Sequence, residues 1–165
     1  MKILLIIPNF ENKYIVANKS RKSGRTRYWT VNGQGLYNAT LHYRLRGTIT
    51  KYFHKYLIKY IKQQITKEHI EIINKFVYKN SDHKLSISVD IYEVRRGKIP
   101  DIGNMWLWTK WFEDALQEAG VIQDDNPDYV IESGRKRYHW VENENERKLV
   151  FNIEIFNFKQ SYTHE

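Results

Sequence analysis

The stretch LSISVDIYEVRRGKIPDIGNMWLWTKWFEDALQEAG, residues 85–120, reads as a strand, a basic loop and a helix in succession. Leu85, Ile87, Val89 and Ile91 alternate with Ser86, Ser88, Asp90 and Tyr92, the period of two of a half-buried strand. Arg95-Arg96-Gly97-Lys98 forms the basic loop. A helix is predicted from about Asn104 to Ala119, with Gly120 suited to its C-terminal cap and Asp101 just ahead of its start.

The flanking sequence extends this pattern. Residues 2–7 read as an opening strand closed by Pro8 and Asn9. Residues 12–35 have the composition of a mobile basic loop, within which Tyr28-Trp29-Thr30-Val31 reads as a short strand. Gly33-Gln34-Gly35 lacks the third Gly and the Lys-Ser/Thr of a phosphate loop, so it reads as a turn before a helix. From about Leu36 to Gln64 the residues Leu41, Leu45, Ile49, Phe53, Leu57 and Ile61 recur every four positions and predict a long amphipathic helix. Gly47 is its weak point. Residues 70–78 are expected to pair as a strand with 85–94, with Asn80-Ser81-Asp82-His83 as the turn. Residues 128–140 and 148–158 are expected to form a second hairpin, turning at 142–146. The sum is one α+β domain over residues 1–165. A mixed or antiparallel sheet of four to five strands packs against two main helices.

Composition narrows the function. An apolar content of 41% and an aromatic content of 15% belong to a folded chain. The net charge is +8, and its distribution is uneven. Residues 12–67 hold thirteen Lys or Arg and no Asp or Glu, while the remainder holds fourteen basic and nineteen acidic residues. A long one-signed basic segment suits a polyanion, through counterion release from phosphates. Lys51, Lys55, Lys59 and Lys62 form a stripe that reads equally as a phosphate-binding face or a solvated one. There is no Cys, so thiolate metal sites and disulfides are excluded and a reducing cytoplasm is suited. The six His show no zinc-site spacing, and no G-x-S-x-G motif occurs. The apolar run at residues 3–7 is too short for a signal peptide or a membrane span.

Acidic residues therefore carry the candidate chemistry. Asp101 stands before the 104–119 helix and Asp124-Asp125 follow it, with Lys110 and Asp114 sharing a face four residues apart between them. Taken singly, these are a helix-start carboxylate, a turn and an exposed ion pair. Taken together in a basic protein, they suggest a metal held against nucleic acid. The two ends meet only if the chain after Gly120 folds back along the helix.

The order Asp101-x-x-Asn104, Lys110, Asp114-Ala115-Leu116, Gly120, Asp124-Asp125 resembles the RusA family of Holliday-junction resolvases, whose core is D-x-D-N, a lysine, D-A-L, a Gly and a D-D pair. Ile7-Pro8-Asn9 with Asn12-Lys13-Tyr14 is similar to the family's P-x-x-N-x-x-aromatic opening. The resemblance implies a homodimeric α/β endodeoxyribonuclease that binds four-way DNA junctions in the cytoplasm and nicks two strands symmetrically. It implies Mg²⁺ as cofactor, with Mn²⁺ able to substitute, and no membrane partner; phage or prophage recombination is a setting that fits. Asp101, Lys110 and Asp125 would be catalytic, and Asp101, Asp125 and Asp124 would face the metal. A bound metal would lower the pKa of attacking water and neutralise transition-state charge. Lys13, Arg21, Lys22, Arg25, Arg27, Arg95, Arg96 and Lys98 are the expected DNA contacts.

The chain departs from the family twice. The second aspartate of the motif falls on Gly103. Asn104 and Lys110 are six apart where the family has three. Asp90, Glu93 and Asp114 are the available replacements for the missing carboxylate. The alternative is a protein that binds branched DNA, or another nucleic acid such as RNA, without cutting it.

Overall fold

The computed structural model describes residues 1–17, 26–37, 41–79, 82–95 and 101–157. The main sheet holds four strands: β1 (Lys2–Pro8), β4 (His83–Val94), β5 (Val130–Val141) and β6 (Lys148–Asn157), in the order β1-β6-β4-β5. β1–β6 and β6–β4 are antiparallel, and β4–β5 is parallel. A separate antiparallel ribbon joins β2 (Lys13–Ala17) to β3 (Arg27–Thr30). The α-helices are α1 (Gly33–Tyr37), α2 (Tyr43–Gln64), α3 (Lys67–Ile73) and α4 (Trp106–Glu118). This is the expected α+β architecture, with a mixed sheet and two main helices, α2 and α4.

The alternation in β4 sets the layers. Leu85, Ile87, Val89 and Ile91 are fully buried, as are Leu149, Phe151 and Ile153 of β6 and Leu5 and Ile7 of β1. Against that face α2 sets Ile49, Phe53, Leu57 and Ile61, and α4 sets Trp108, Trp111, Phe112, Ala115 and Leu116. Phe53 stacks on Trp111 with ring centres 4.9 Å apart, and Phe112 stacks on Phe151 at 4.1 Å. The opposite face of the sheet is open, leaving Leu4 and Ile6 exposed. The free edge at β1 is guarded. Gln64, the last residue of α2, accepts from the Ile6 N–H at 2.9 Å and donates to the Ile6 carbonyl at 2.7 Å. Those bonds satisfy backbone groups that an incoming strand would otherwise pair with.

Three expectations are corrected. Residues 70–78 are not a strand: α3 continues into a π-helical turn over Asn74–Tyr78. Thr66 caps α3, and His69 completes the capping box by accepting from the Thr66 N–H. Burial of Ile73 and Val77, four residues apart, follows a helical period. Next, β5 and β6 form no hairpin, because β4 lies between them. The chain crosses from β4 through α4 into parallel β5, then passes over the end of β4 into β6. Finally, residues 12–35 contain the ribbon and α1 rather than a continuous loop. Residues 18–25 of that segment, the 80–81 part of the expected turn and the last residue of the 148–158 strand lie outside the described residues.

α2 runs unbroken through Gly47, but it spans Tyr43 to Gln64 and does not begin at Leu36, which lies in the separate α1. A Schellman turn ends α4: Gly120, at φ +72°, donates to the Gln117 carbonyl, and Val121 donates to the Leu116 carbonyl at 2.9 Å. Val121 and Ile122 are then buried, which fixes the direction of the chain as it leaves the helix.

Candidate functional site

The chain leaving the Schellman turn comes back along α4. Lys110 Nζ donates to Asp125 Oδ2 at 2.8 Å and lies 2.9 Å from Asp114 Oδ1. Lys110 sits in the second turn of α4, well before the helix ends, so Asp125 has returned past the last turns. On the other side, Asp114 Oδ2 lies 3.4 Å from His54 Nε2 of α2, an ion-pair distance without hydrogen-bond geometry. Asp124 faces its own turn: its Oδ1 accepts from the Asp125 N–H at 2.8 Å and its Oδ2 from Asn126 Nδ2 at 2.7 Å.

The electrostatics follow from these contacts. The hydrogen bond to Asp125, together with that to Asp114, pushes the Lys110 ammonium well above its ordinary pKa. The same bond holds the Asp125 carboxyl below the usual range. Lys110 is about half exposed, so each pair contributes less than about 1 kcal/mol to stability. One turn of helix away is Glu113, which the sequence reading missed. It is buried and accepts a hydrogen bond from Ser133 Oγ of β5. Burial pushes its carboxyl up, against the lowering effect of Ser133 and Lys110.

Asp101 is placed apart from this group. It precedes a single 3-10 turn, Ile102–Met105, and its side chain makes no capping bond to that turn. Its charge acts instead on Tyr138 of β5. Burial, then the negative charges of Glu93 and Asp101, push the Tyr138 hydroxyl up to about 12. Asp101 and Glu93 thus share a neighbourhood at the carboxyl end of β4, while Asp125 and Asp114 gather at Lys110.

The candidates for the missing carboxylate each have partners. Asp90 accepts from Asn152 at 2.9 Å and lies 2.8 Å from His139 Nε2. Burial raises its pKa, but those hydrogen bonds outweigh it and hold the carboxyl below its ordinary value. Glu93 is gripped at both oxygens by Arg147, and Asp114 lies 2.9 Å from Lys110 Nζ. Gly103 is exposed, and a Cβ there would meet nothing within 4 Å. Among the described residues no three His, Asp or Glu side chains converge in a way that would hold a metal ion. The carboxylates around Lys110 already accept from it or from their own turn. In this arrangement the described residues assemble no magnesium centre.

Of the expected DNA contacts, Lys13 and Arg27 are exposed on the ribbon, and Arg95 lies over the Trp140 ring at 5.6 Å. Arg21, Lys22, Arg25, Arg96 and Lys98 lie outside the described residues. Lys51, Lys55, Lys59 and Lys62 are all exposed along α2.

A cleft of about 1080 Å³ lies between the ribbon and the end of the sheet. Glu93 and Arg147 form its polar floor. Arg147 Nε and Nη2 grip Glu93 at 2.5 and 3.0 Å, and the guanidinium lies 4.8 Å from the centre of the Phe10 ring. Tyr14, Tyr28 and Tyr52 also line it, with Tyr14 and Tyr28 on opposite faces of the ribbon. A sequence signal for this pairing is absent, because Glu93 and Arg147 are 54 residues apart.

The chain matches no protein-family model and no curated protein. The family resemblance therefore rests on the motif residues alone.

Proposed function

We propose that this chain acts on branched DNA, as an endodeoxyribonuclease of the RusA type that nicks paired strands of a four-way junction. The observation that carries the proposal is the contact between Lys110 and Asp125. The motif order requires the late aspartate to come back along the helix to the lysine, and the Schellman turn at Gly120 supplies the reversal. Lys110 is the residue suited to stabilise charge on the scissile phosphate or the leaving oxygen. Basic residues on the ribbon and on α2 are suited to the phosphate backbone. A homodimer would match the two-fold symmetry of the junction.

A second reading is favoured by specific observations. Gly103 offers no ligand, Asp101 lies apart from Asp125, and the carboxylates near Lys110 have other partners. A protein built this way would bind branched DNA without cutting it.

The two readings separate in one experiment. A labelled four-way junction is incubated with the protein, with Mg²⁺, with Mn²⁺ and with neither. The nuclease reading expects symmetric nicks with a divalent ion. Lys110→Ala should then lower the rate by about 10²–10³-fold, the usual cost of one charge-stabilising group. Asp101→Asn and Asp125→Asn should abolish nicking while leaving junction binding intact. Tight binding with no nick under any divalent ion rejects the nuclease reading and leaves the binding protein.

A further inference from the structure

The cleft beside Glu93 has features that neither phosphate binding nor strand cleavage uses. Its volume, about 1080 Å³, lies at the upper end of the range for clefts that hold small ligands, about 300–1,000 Å³. One wall is aromatic. Tyr14 meets Tyr52 edge to face at 5.3 Å, and Tyr52 is anchored by a hydrogen bond to Glu11. Tyr28, on β3, is 57% exposed and makes no ring contact among the described residues. An unpaired aromatic ring at the mouth of a cleft has a free face for stacking.

The floor is polar in a particular way. The Glu93 carboxylate accepts, and the Arg147 guanidinium and the Asn12 amide donate. Asn12 Nδ2 stands only 3.5 Å from Glu93 Oε2, a weak bond that a better partner would replace. A cleft that offers donors and acceptors together with the exposed Tyr28 ring matches the edge and a face of a nucleobase. Lys13 lies at the rim, where a backbone phosphate would follow the base. Tyr138, which also lines the cleft, feels the charge of Asp101.

We propose that the cleft between the β2–β3 ribbon and the Glu93–Arg147 pair receives one unpaired nucleobase, stacked on Tyr28. The proposal deepens the branched-DNA reading, since a base already unpaired at a branch point costs least to unstack. It does not depend on cleavage.

Equilibrium binding at fixed salt tests it with four DNAs. These are a fully paired duplex, the same duplex with one unpaired thymine, a fully paired four-way junction, and that junction with an unpaired thymine at the branch point. The unpaired thymine should tighten binding in both backgrounds by about 5- to 150-fold, the range that base–aromatic stacking supplies. Tyr28→Ala should remove that preference, and Tyr28→Phe should keep it. Tyr28 is exposed, so neither substitution disturbs the core. Equal affinity for paired and unpaired forms overturns the proposal, as does a preference that survives Tyr28→Ala. A Tyr28-dependent preference on the duplex, with no preference for junctions over duplex, supports the cleft and overturns the branched-DNA reading instead. Binding to none of the four overturns both.

Discussion

Arg147 offers the sharpest test of how the sheet is closed. It sits where the chain has just crossed the end of β4, and it binds Glu93 near the end of that strand through two hydrogen bonds. The two side chains are only 17% and 14% exposed. Arg147→Met keeps an unbranched apolar side chain of similar reach beside Phe10 and removes the charge. Glu93 would then be left with its own Val94 N–H at 3.1 Å and the distant Asn12 amide. Breaking a buried pair from one side costs about 3–5 kcal/mol, because the remaining charge is desolvated without compensation. With about a sixth of each side chain still meeting water, the lower end applies, about 3 kcal/mol. For a chain of this size that is a fall of about 6–12 °C in Tm, at about 2–4 °C per kcal/mol.

Urea unfolding of wild type, Arg147→Met, Glu93→Gln and the double variant measures the effect, with the m value checked for constancy. The double variant should be more stable than Arg147→Met alone, since the stranded charge is gone. The coupling should be at least about 1 kcal/mol. A loss below about 1 kcal/mol for Arg147→Met would place the pair with ordinary surface ion pairs. Strict additivity would show that the two residues do not act on one another. Either result would refute the account of the crossing loop as tied down through Glu93.

Three further outcomes are expected. Glu113→Gln should raise stability at neutral pH, because burial raises the folded-state pKa of Glu113. The sign follows from proton linkage: a raised carboxyl favours the fold only below its unfolded pKa and loses that contribution as pH rises through the folded value, so the gain should fade near pH 4 in Tm scans. Gly47→Ala should stabilise by about 0.5–1 kcal/mol in chemical denaturation, since Gly47 is exposed inside α2 and the new methyl meets nothing within 4 Å. Gly103→Asp restores a carboxylate at the position where the RusA motif has one, into open space. If a missing ligand limits nicking, the rate at fixed Mg²⁺ should rise at least tenfold, a gain of about 1.4 kcal/mol, and an unchanged rate would show that Gly103 is not the gap.

Elements that carry their own periodicity were legible in the sequence. β4 alternates, and α2 repeats every four residues. Gly120 marks the end of α4 through the positive φ it takes there. Residues 70–78 were not legible as a helix, because Ile70, Ile72, Ile73, Phe76 and Val77 form a short apolar run that fits either period. The deciding signal was the capping box at Thr66, and it is concealed because His69 stands where a Glu or Gln usually does. Strand order was hidden for a different reason. β5 and β6 are neighbours in sequence, and nothing in either one announces that β4 separates them. The pairing of β4 with β5 is parallel and made through a crossover, and it leaves no turn signature.

The candidate site divides along the same line. Lys110 and Asp114 follow from helical spacing, and Asp125 follows from the motif order plus a cap that reverses the chain. Asp101 does not join them, since its position depends on the 3-10 turn and on β5 beyond it. The strength of the contacts at Lys110 bears on the proposed function. Each pair contributes less than about 1 kcal/mol at half exposure, so the carboxylates orient the ammonium without locking it. A phosphate makes charge-assisted hydrogen bonds at least as strong as those to a carboxylate. An incoming strand can therefore take Lys110 from Asp125 at small cost, and the aspartate is released as the lysine leaves. On the proposed reading, binding of the strand is itself what frees a carboxylate beside the phosphate. The Arg147–Glu93 pair behaves differently, because its two bonds are largely buried and its loss costs several times more. The structure thus keeps an exchangeable ion pair where chemistry is proposed and a fixed one where the sheet is closed.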